Sequence, residues 1–101
     1  MKTLVFLFAM SLSFSASAAL EPHFGKISSH GFKYSCTFTN KSSRTLDMKY
    51  VTFVFAPVSG ENSDYQVQER IDQRVRSGET LRNSVHEPHA YLARHCYYLA
   101  R

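Results

Sequence analysis

The sequence is poor in glycine, proline and cysteine and lacks tryptophan. Its 101 residues include four glycines, three prolines and two cysteines. It contains neither a glycine-rich loop that could cradle a phosphate nor a G-x-S-x-G turn that would present a serine nucleophile. The carboxylates show no spacing that fixes an acid–base pair. We therefore predict that the protein is not an enzyme and holds no cofactor, with a small secreted hydrolase as the remote alternative.

The cysteine pair indicates a disulfide rather than redox chemistry. Cys36 and Cys96 are the only cysteines, and they lie far apart instead of in a C-x-x-C motif. In an oxidising compartment an even pair usually forms a bridge. Closing a loop of this length should stabilise the fold by about 4 kcal/mol in the chain-entropy model. We predict a Cys36–Cys96 disulfide, and two free thiols are the alternative.

Long apolar runs are missing except at the N-terminus. A positive Lys2 precedes an apolar stretch that begins at Leu4, and the small residues Ala16-Ser17-Ala18 end it. This order is typical of a secretory signal peptide. The stretch is short for a membrane-spanning helix of about 20 residues. We predict a signal peptide at residues 1–18 and one periplasmic or secreted domain at 19–101, with no transmembrane span after cleavage. An uncleaved anchor is the alternative.

The charge balance is mildly basic, with a formal net charge of +4. Basic residues are spread along the chain, and the one cluster contains Arg70, Arg74, Arg76 and Arg82. A nucleic-acid-binding surface is usually denser than this. We predict no nucleic-acid partner and interpret the cluster as a solvated strand face. Weak attraction to anionic membranes or acidic glycans stays open.

Alternation of apolar and polar residues predicts β-strands along the mature chain. Within residues 32–39, Phe32, Tyr34, Cys36 and Phe38 fall on one face. Residues 48–58 are apolar on both faces, which favours a strand covered on both sides. The other predicted strands are 24–28, 65–75, 81–86 and 91–99. Residues 66–76 also fit an amphipathic helix, because Gln, Glu and Arg favour helices.

Six or seven short strands in one small domain predict an all-β fold, a small antiparallel immunoglobulin-like β-sandwich with one disulfide. Polar turns at 40–44, 59–63 and 77–80 separate the strands. In the last strand Cys96 shares a face with Leu92 and Tyr98. Cys96 can therefore meet Cys36 across a sheet or between sheets.

Three segments resemble small immunoglobulin-like domains of exported bacterial proteins, of the FxLYD type. They are the polar turn and strand start at 39–46, the apolar strand 51–55 and the Ser-Gly-Glu-Thr turn at 77–80. Ala56-Pro57 stands where the family pattern has Tyr-Asp. The resemblance implies a non-catalytic accessory or binding module, and it supplies no active-site residues.

Histidines form the most suggestive cluster of titratable residues. His86 and His89 flank a Glu-Pro pair, and His95 follows nearby. Imidazoles are common zinc and copper ligands, so these three residues are the candidate metal site. The proline prevents the helical geometry of H-E-x-x-H, and an exposed polar loop is the alternative interpretation.

Tyrosines and arginines are the candidate partner-binding residues, namely Tyr91, Tyr97, Arg70 and Arg74. Tyrosine anchors protein interfaces well, and Tyr50, Tyr91, Tyr97 and Tyr98 are hard to bury together on one sheet face. Core packing is the alternative for any one of them. The leading hypothesis is therefore a monomeric, exported binding or accessory protein with a protein partner at the cell envelope. The second is a periplasmic metal-binding or pH-responsive protein that uses the histidines.

Overall fold

The computed structural model describes residues 20–57, 63–88 and 90–101. The predicted signal peptide, Val58 with most of the 59–63 turn, and His89 lie outside the described residues. The described residues contain seven strands and no helix, so nothing among them could cross a bilayer as a helix. The strands are β1 (Glu21–Phe24), β2 (Lys26–His30), β3 (Lys33–Thr39), β4 (Leu46–Pro57), β5 (Tyr65–Val75), β6 (Thr80–His86) and β7 (Ala90–Ala100).

The strands form two antiparallel sheets, and the all-β prediction is confirmed. One sheet has the order β1-β7-β4-β5 and the other the order β2-β3-β6. The predicted Cys36–Cys96 disulfide is present, with 6.0 Å between its Cα atoms. It joins β3 to β7 and therefore ties one sheet to the other. A bridge of this kind between facing sheets is consistent with an immunoglobulin-like sandwich.

Strand β4 forms the centre of the larger sheet, as its two apolar faces predict. Val51, Phe53 and Phe55 face the core and are fully buried. Thr52 and Val54 on the opposite face are also buried, because β5 and β7 flank β4 on both sides. The strand ends at Pro57, which cannot donate to a ladder.

Tyr98 is the largest fully buried side chain, and its polar tip is paired. Its hydroxyl lies 2.8 Å from the carbonyl oxygen of Cys36 and 3.0 Å from Oδ1 of Asn83, and its one proton is shared between these two acceptors. Burial raises the pKa of Tyr98 to about 12. The bond to Cys36 adds a second link between the sheets beside the disulfide.

Strand β5 is regular apart from one bulge, and the alternative of a helix at 66–76 is wrong. The pairing shifts between Met48 opposite Gln73 and Tyr50 opposite Arg70. The extra residue is absorbed by Asp72, whose φ is +48°. The Arg70 guanidinium donates to Asp72 at 2.6 Å and lowers the pKa of that carboxyl.

Two apolar side chains lie on a different side from the one predicted. Leu92 does not share the core face with Cys96 and is 47% exposed. The pairing with β4 shifts between His95 and Ala93, because β7 has one extra residue there. This extra residue reverses which face the side chains N-terminal to it occupy. Ala93 therefore packs against the core, and Leu92 does not. Phe32 is exposed because β3 begins only at Lys33 and Phe32 lies in the preceding turn.

The predicted first strand at 24–28 is two strands in different sheets. β1 pairs with β7, and β2 pairs with β3. The chain crosses between the sheets at Gly25, whose N–H donates to the carbonyl oxygen of Cys96 at 3.1 Å. A Cβ at this position would lie 2.6 Å from Sγ of Cys36 and 2.9 Å from the carbonyl oxygen of Thr37. Close packing against the disulfide therefore requires glycine.

Asn40 anchors the turn between β3 and β4. Its side chain is fully buried. Its Nδ2 donates to the carbonyl oxygens of Arg44 and Val75, each at 2.8 Å. Its Oδ1 accepts from the N–H and the hydroxyl of Ser42 at 3.0 and 2.7 Å. Both ends of the amide are satisfied, which makes Asn40 a structural residue rather than a surface one.

Candidate functional site

The outer face of the larger sheet, which points away from β2, β3 and β6, carries the candidate site. His23 in β1 pairs with the buried Tyr98 and packs edge-on against Phe38. Because side chains alternate along a strand, the next residue, Phe24, points outward. Phe24 pairs with Tyr97 across β1 and β7. The neighbouring outward row runs from Pro22 through Leu99 and Tyr50 to Arg70.

Three rings on this face touch one another and form what we call the aromatic patch: Phe24, His95 and Tyr97. The ring centroid of Phe24 lies 6.0 Å from that of His95 and 5.6 Å from that of Tyr97. His95 and Tyr97 are stacked, with centroids 6.2 Å apart. The Phe24 side chain is 65% exposed, although burying a ring of this size would remove a large apolar area from water and so lower the free energy. A cluster of exposed rings on a rigid sheet is typical of an interaction surface.

The predicted partner-binding residues are partly brought together. Tyr97 belongs to the aromatic patch. Arg70 lies on the same face at β5, with its guanidinium carbon 5.7 Å from the Tyr50 ring centroid. Arg74 lines a separate polar groove of about 400 Å³ with Arg76. Tyr91 lies in β7, and its side chain is outside the described part of the structure.

Phe24 and His95 are the patch residues that sequence reasoning did not assign to a partner. The sequence pattern predicts Phe24 at the start of a strand and indicates His95 only as a metal ligand. The signal that could have found Phe24 is its position directly before a glycine. A glycine inside a strand pattern marks a bend or a close approach, where the strand can leave its sheet.

The candidate metal residues are not neighbours in the described structure. His86 lies in β6, where it meets the Phe32 ring at 6.2 Å between centroids. His95 lies in β7 of the other sheet, stacked on Tyr97. Across residues 20–57, 63–88 and 90–101, no three His, Cys, Asp or Glu side chains are close enough together to hold a metal ion. A site that includes His89 stays a prediction, and these two histidines alone do not support it.

A groove adjoins the aromatic patch, and Phe24 belongs to both. Its volume is about 540 Å³, and it is open to solvent along its length. We call it the lysine groove, and its lining residues are Phe24, Gly25, Lys26, Thr37, Phe38, Thr39 and Lys41. The two features meet at Phe24, next to the sheet crossing at Gly25.

Comparison with known proteins places no relative beside this chain. No protein-family model matches it, and neither a curated protein nor a solved structure does. The resemblance to FxLYD-type domains therefore stays a prediction. Function must be argued from the surface itself, because a fold alone does not specify one.

Proposed function

We propose that this protein is an exported, non-catalytic module that binds a protein partner at the cell envelope through the aromatic patch. The observation that carries the proposal is the exposed ring cluster of Phe24, His95 and Tyr97 on the outer face of the larger sheet. Covering the Phe24 ring would contribute about 1–2 kcal/mol to an association. Tyr97, half-buried already, would add a hydroxyl that can bond to the partner.

The rigidity of the scaffold supports a binding role. Phe24, His95 and Tyr97 stand on paired strands, and the disulfide joins β7 to the opposite sheet only one residue from Tyr97. Rings held in this way lose little conformational freedom when a partner covers them, which lowers the entropic cost of association. Export is supported by two independent features, the apolar N-terminal segment and a disulfide of the kind that persists in oxidising compartments.

Site-specific photo-crosslinking in the source organism tests the proposal. The photoreactive residue p-benzoyl-phenylalanine replaces Phe24 in one variant and the exposed Ser29 of the smaller sheet in another. We expect a discrete covalent adduct from envelope extract only with the residue at position 24. The adduct should disappear when Tyr97→Ser is added, whereas Lys33→Ser, a change on the other sheet, should leave it intact. Equal labelling at both positions, or no adduct at either, would contradict the proposal.

A further inference from the structure

The lysine groove lies where β3 extends beyond β2, because the chain leaves the smaller sheet at Gly25. β2 begins at Lys26, which pairs with Thr37. β3 continues through Phe38 to Thr39, and there it pairs only with β6 on its other side. With the chain diverted to the larger sheet at Gly25, Phe38 and Thr39 have no described strand on the side of β3 that faces β2. Because successive residues direct their N–H and C=O to opposite sides of a strand, one of the two presents these groups to the open edge. The groove is therefore a stretch of uncovered strand edge with side-chain walls.

The residues that line the groove include two lysines and two phenylalanines. Lys26 and Lys41 are exposed, and among the described residues no carboxylate lines the groove. Neither lysine takes part in an ion pair within the described residues, where the nearby Glu21 pairs with Arg44 at 3.6 Å. Phe24 and the half-buried Phe38 supply the apolar surface. The groove thus offers positive charge, apolar contact and main-chain hydrogen-bonding groups together.

We propose that the lysine groove binds an extended acidic segment of the partner protein. This inference rests on the proposed function and names the partner chemistry. Carboxylates of the segment pair with Lys26 and Lys41, and an apolar side chain between them packs against the half-buried Phe38. The main chain of the segment bonds to the uncovered edge of β3, as in strand addition. Because Phe24 is also part of the aromatic patch, a partner can occupy both surfaces at once.

An acidic polypeptide matches the groove better than a lipid does. The groove is open along its length, so an acyl chain in it would remain largely in contact with water, which removes most of the gain from its burial. The uncovered edge of β3 presents main-chain groups, and an extended peptide can satisfy them whereas a hydrocarbon cannot. Charge complementarity with two unpaired lysines then selects carboxylates over neutral side chains.

Selection from a random peptide library tests the inference with defined ligands. The mature protein is panned against phage displaying twelve-residue peptides, and the recovered peptides are synthesised with a fluorescent label. We expect sequences with at least two carboxylates around an apolar residue. Their affinity, measured by fluorescence anisotropy, should fall about tenfold or more in the Lys26→Glu/Lys41→Glu variant. Lys33→Glu, at the opposite end of β3, is the matched control and should change affinity less than twofold.

Amide chemical shifts locate the bound peptide. The shifts of Gly25, Phe38 and Thr39 should move on titration, and those of β5 should not. The inference is overturned if no peptide is recovered, if the peptides lack acidic residues, or if the charge-reversed variant binds equally well. Lysine-dependent binding to vesicles containing phosphatidylglycerol, with no peptide recovered, would assign the groove to a membrane surface and also overturn it.

The two proposals fail separately. If the adduct formed at position 24 survives Lys26→Glu/Lys41→Glu, the aromatic patch binds a partner and the acidic-segment inference is wrong. If acidic peptides bind with the expected lysine dependence while no envelope adduct forms, the groove chemistry is correct and the proposed partner at the aromatic patch is wrong.

Discussion

Replacing Gly25 with alanine tests whether the sheet crossing is held against the disulfide. The added Cβ would lie 2.6 Å from Sγ of Cys36 and 3.4 Å from Sγ of Cys96. Carbon and heavier atoms normally pack at about 3.5–4.0 Å, so the crossing must move by roughly 1 Å. The bridged sulfurs are fully buried, and a bridged sulfur cannot rotate away as a free thiol could.

The expected cost follows from opposing contributions. Overpacking a filled core costs about 1–3 kcal/mol. Displacement would also weaken the bond from the Gly25 N–H to the carbonyl oxygen of Cys96, worth about 1 kcal/mol. Alanine also reduces the conformational entropy of the unfolded chain, which raises the free energy of unfolding by about 0.4–1 kcal/mol. We expect Gly25→Ala to lower the free energy of unfolding by about 1–3 kcal/mol.

Urea unfolding of the mature, oxidised protein, followed by tyrosine fluorescence and far-UV circular dichroism, measures this cost. Gly31 is the matched control, because its φ is +64° and no atom lies within 4 Å of an added Cβ. Alanine at position 31 should be destabilising through backbone strain alone, and asparagine there should relieve much of it. Asparagine at position 25 should be worse than alanine. A Gly25→Ala protein within about 0.5 kcal/mol of the parent would refute the steric argument.

Other predictions concern the disulfide, the Asn40 amide and the buried tyrosine. The double variant Cys36→Ala/Cys96→Ala should have a free energy of unfolding about 4 kcal/mol lower than the parent. The intact mass of the parent protein should rise by about two daltons on reduction. A mass that does not change contradicts the bridge. Asn40→Asp puts an oxygen against the two carbonyls that Nδ2 binds and should lower the free energy of unfolding, measured in urea, by about 2–4 kcal/mol. Lys41→Ala, the control, should lower it by less than about 0.5 kcal/mol. Equal stabilities of the Asn40→Asp and Lys41→Ala variants would refute the structural role of Asn40. Because burial raises the pKa of Tyr98 to about 12, its contribution is fully present below pH 10 and is lost as pH rises towards 12. The loss should reach about 2 kcal/mol after solvent screening, and absorbance at 295 nm should show one tyrosine ionising only as the protein unfolds, a phase that Tyr98→Phe removes.

Local patterns in the sequence predict most of the strands and the disulfide. Alternation over 65–75 identifies β5 even though its composition favours a helix, because Tyr65, Val67 and Ile71 pack against the core and Val75 lies in it. The apolar run around Phe53 predicts a central strand covered on both faces, which β4 is. The Cys36–Cys96 pair follows from the absence of any other cysteine, and no geometry is needed to propose it.

The candidate site was only partly predictable. The sequence indicates Tyr97 as a partner-binding residue, and it lies half-buried in the aromatic patch. Phe24 and His95 join it because β1 pairs with the end of β7 in a register that brings residues far apart in sequence within ring contact. The exposure of Leu92 depends on a bulge beside His95, and nothing in the local pattern indicates an extra residue there.

The sequence by itself determined the all-β class, the positions of most strands and the disulfide. Alternation is a pattern of neighbouring residues, and the cysteine count is a property of composition, so neither depends on the tertiary structure. Only the tertiary structure decided where the first strand leaves its sheet, which faces Leu92 and Phe24 occupy, and that Lys26 and Lys41 flank one groove. The physical reason is that strand register and sheet crossing arise from contacts between distant segments. Gly25 illustrates this, because the sulfur that excludes a side chain there belongs to Cys36 on another strand.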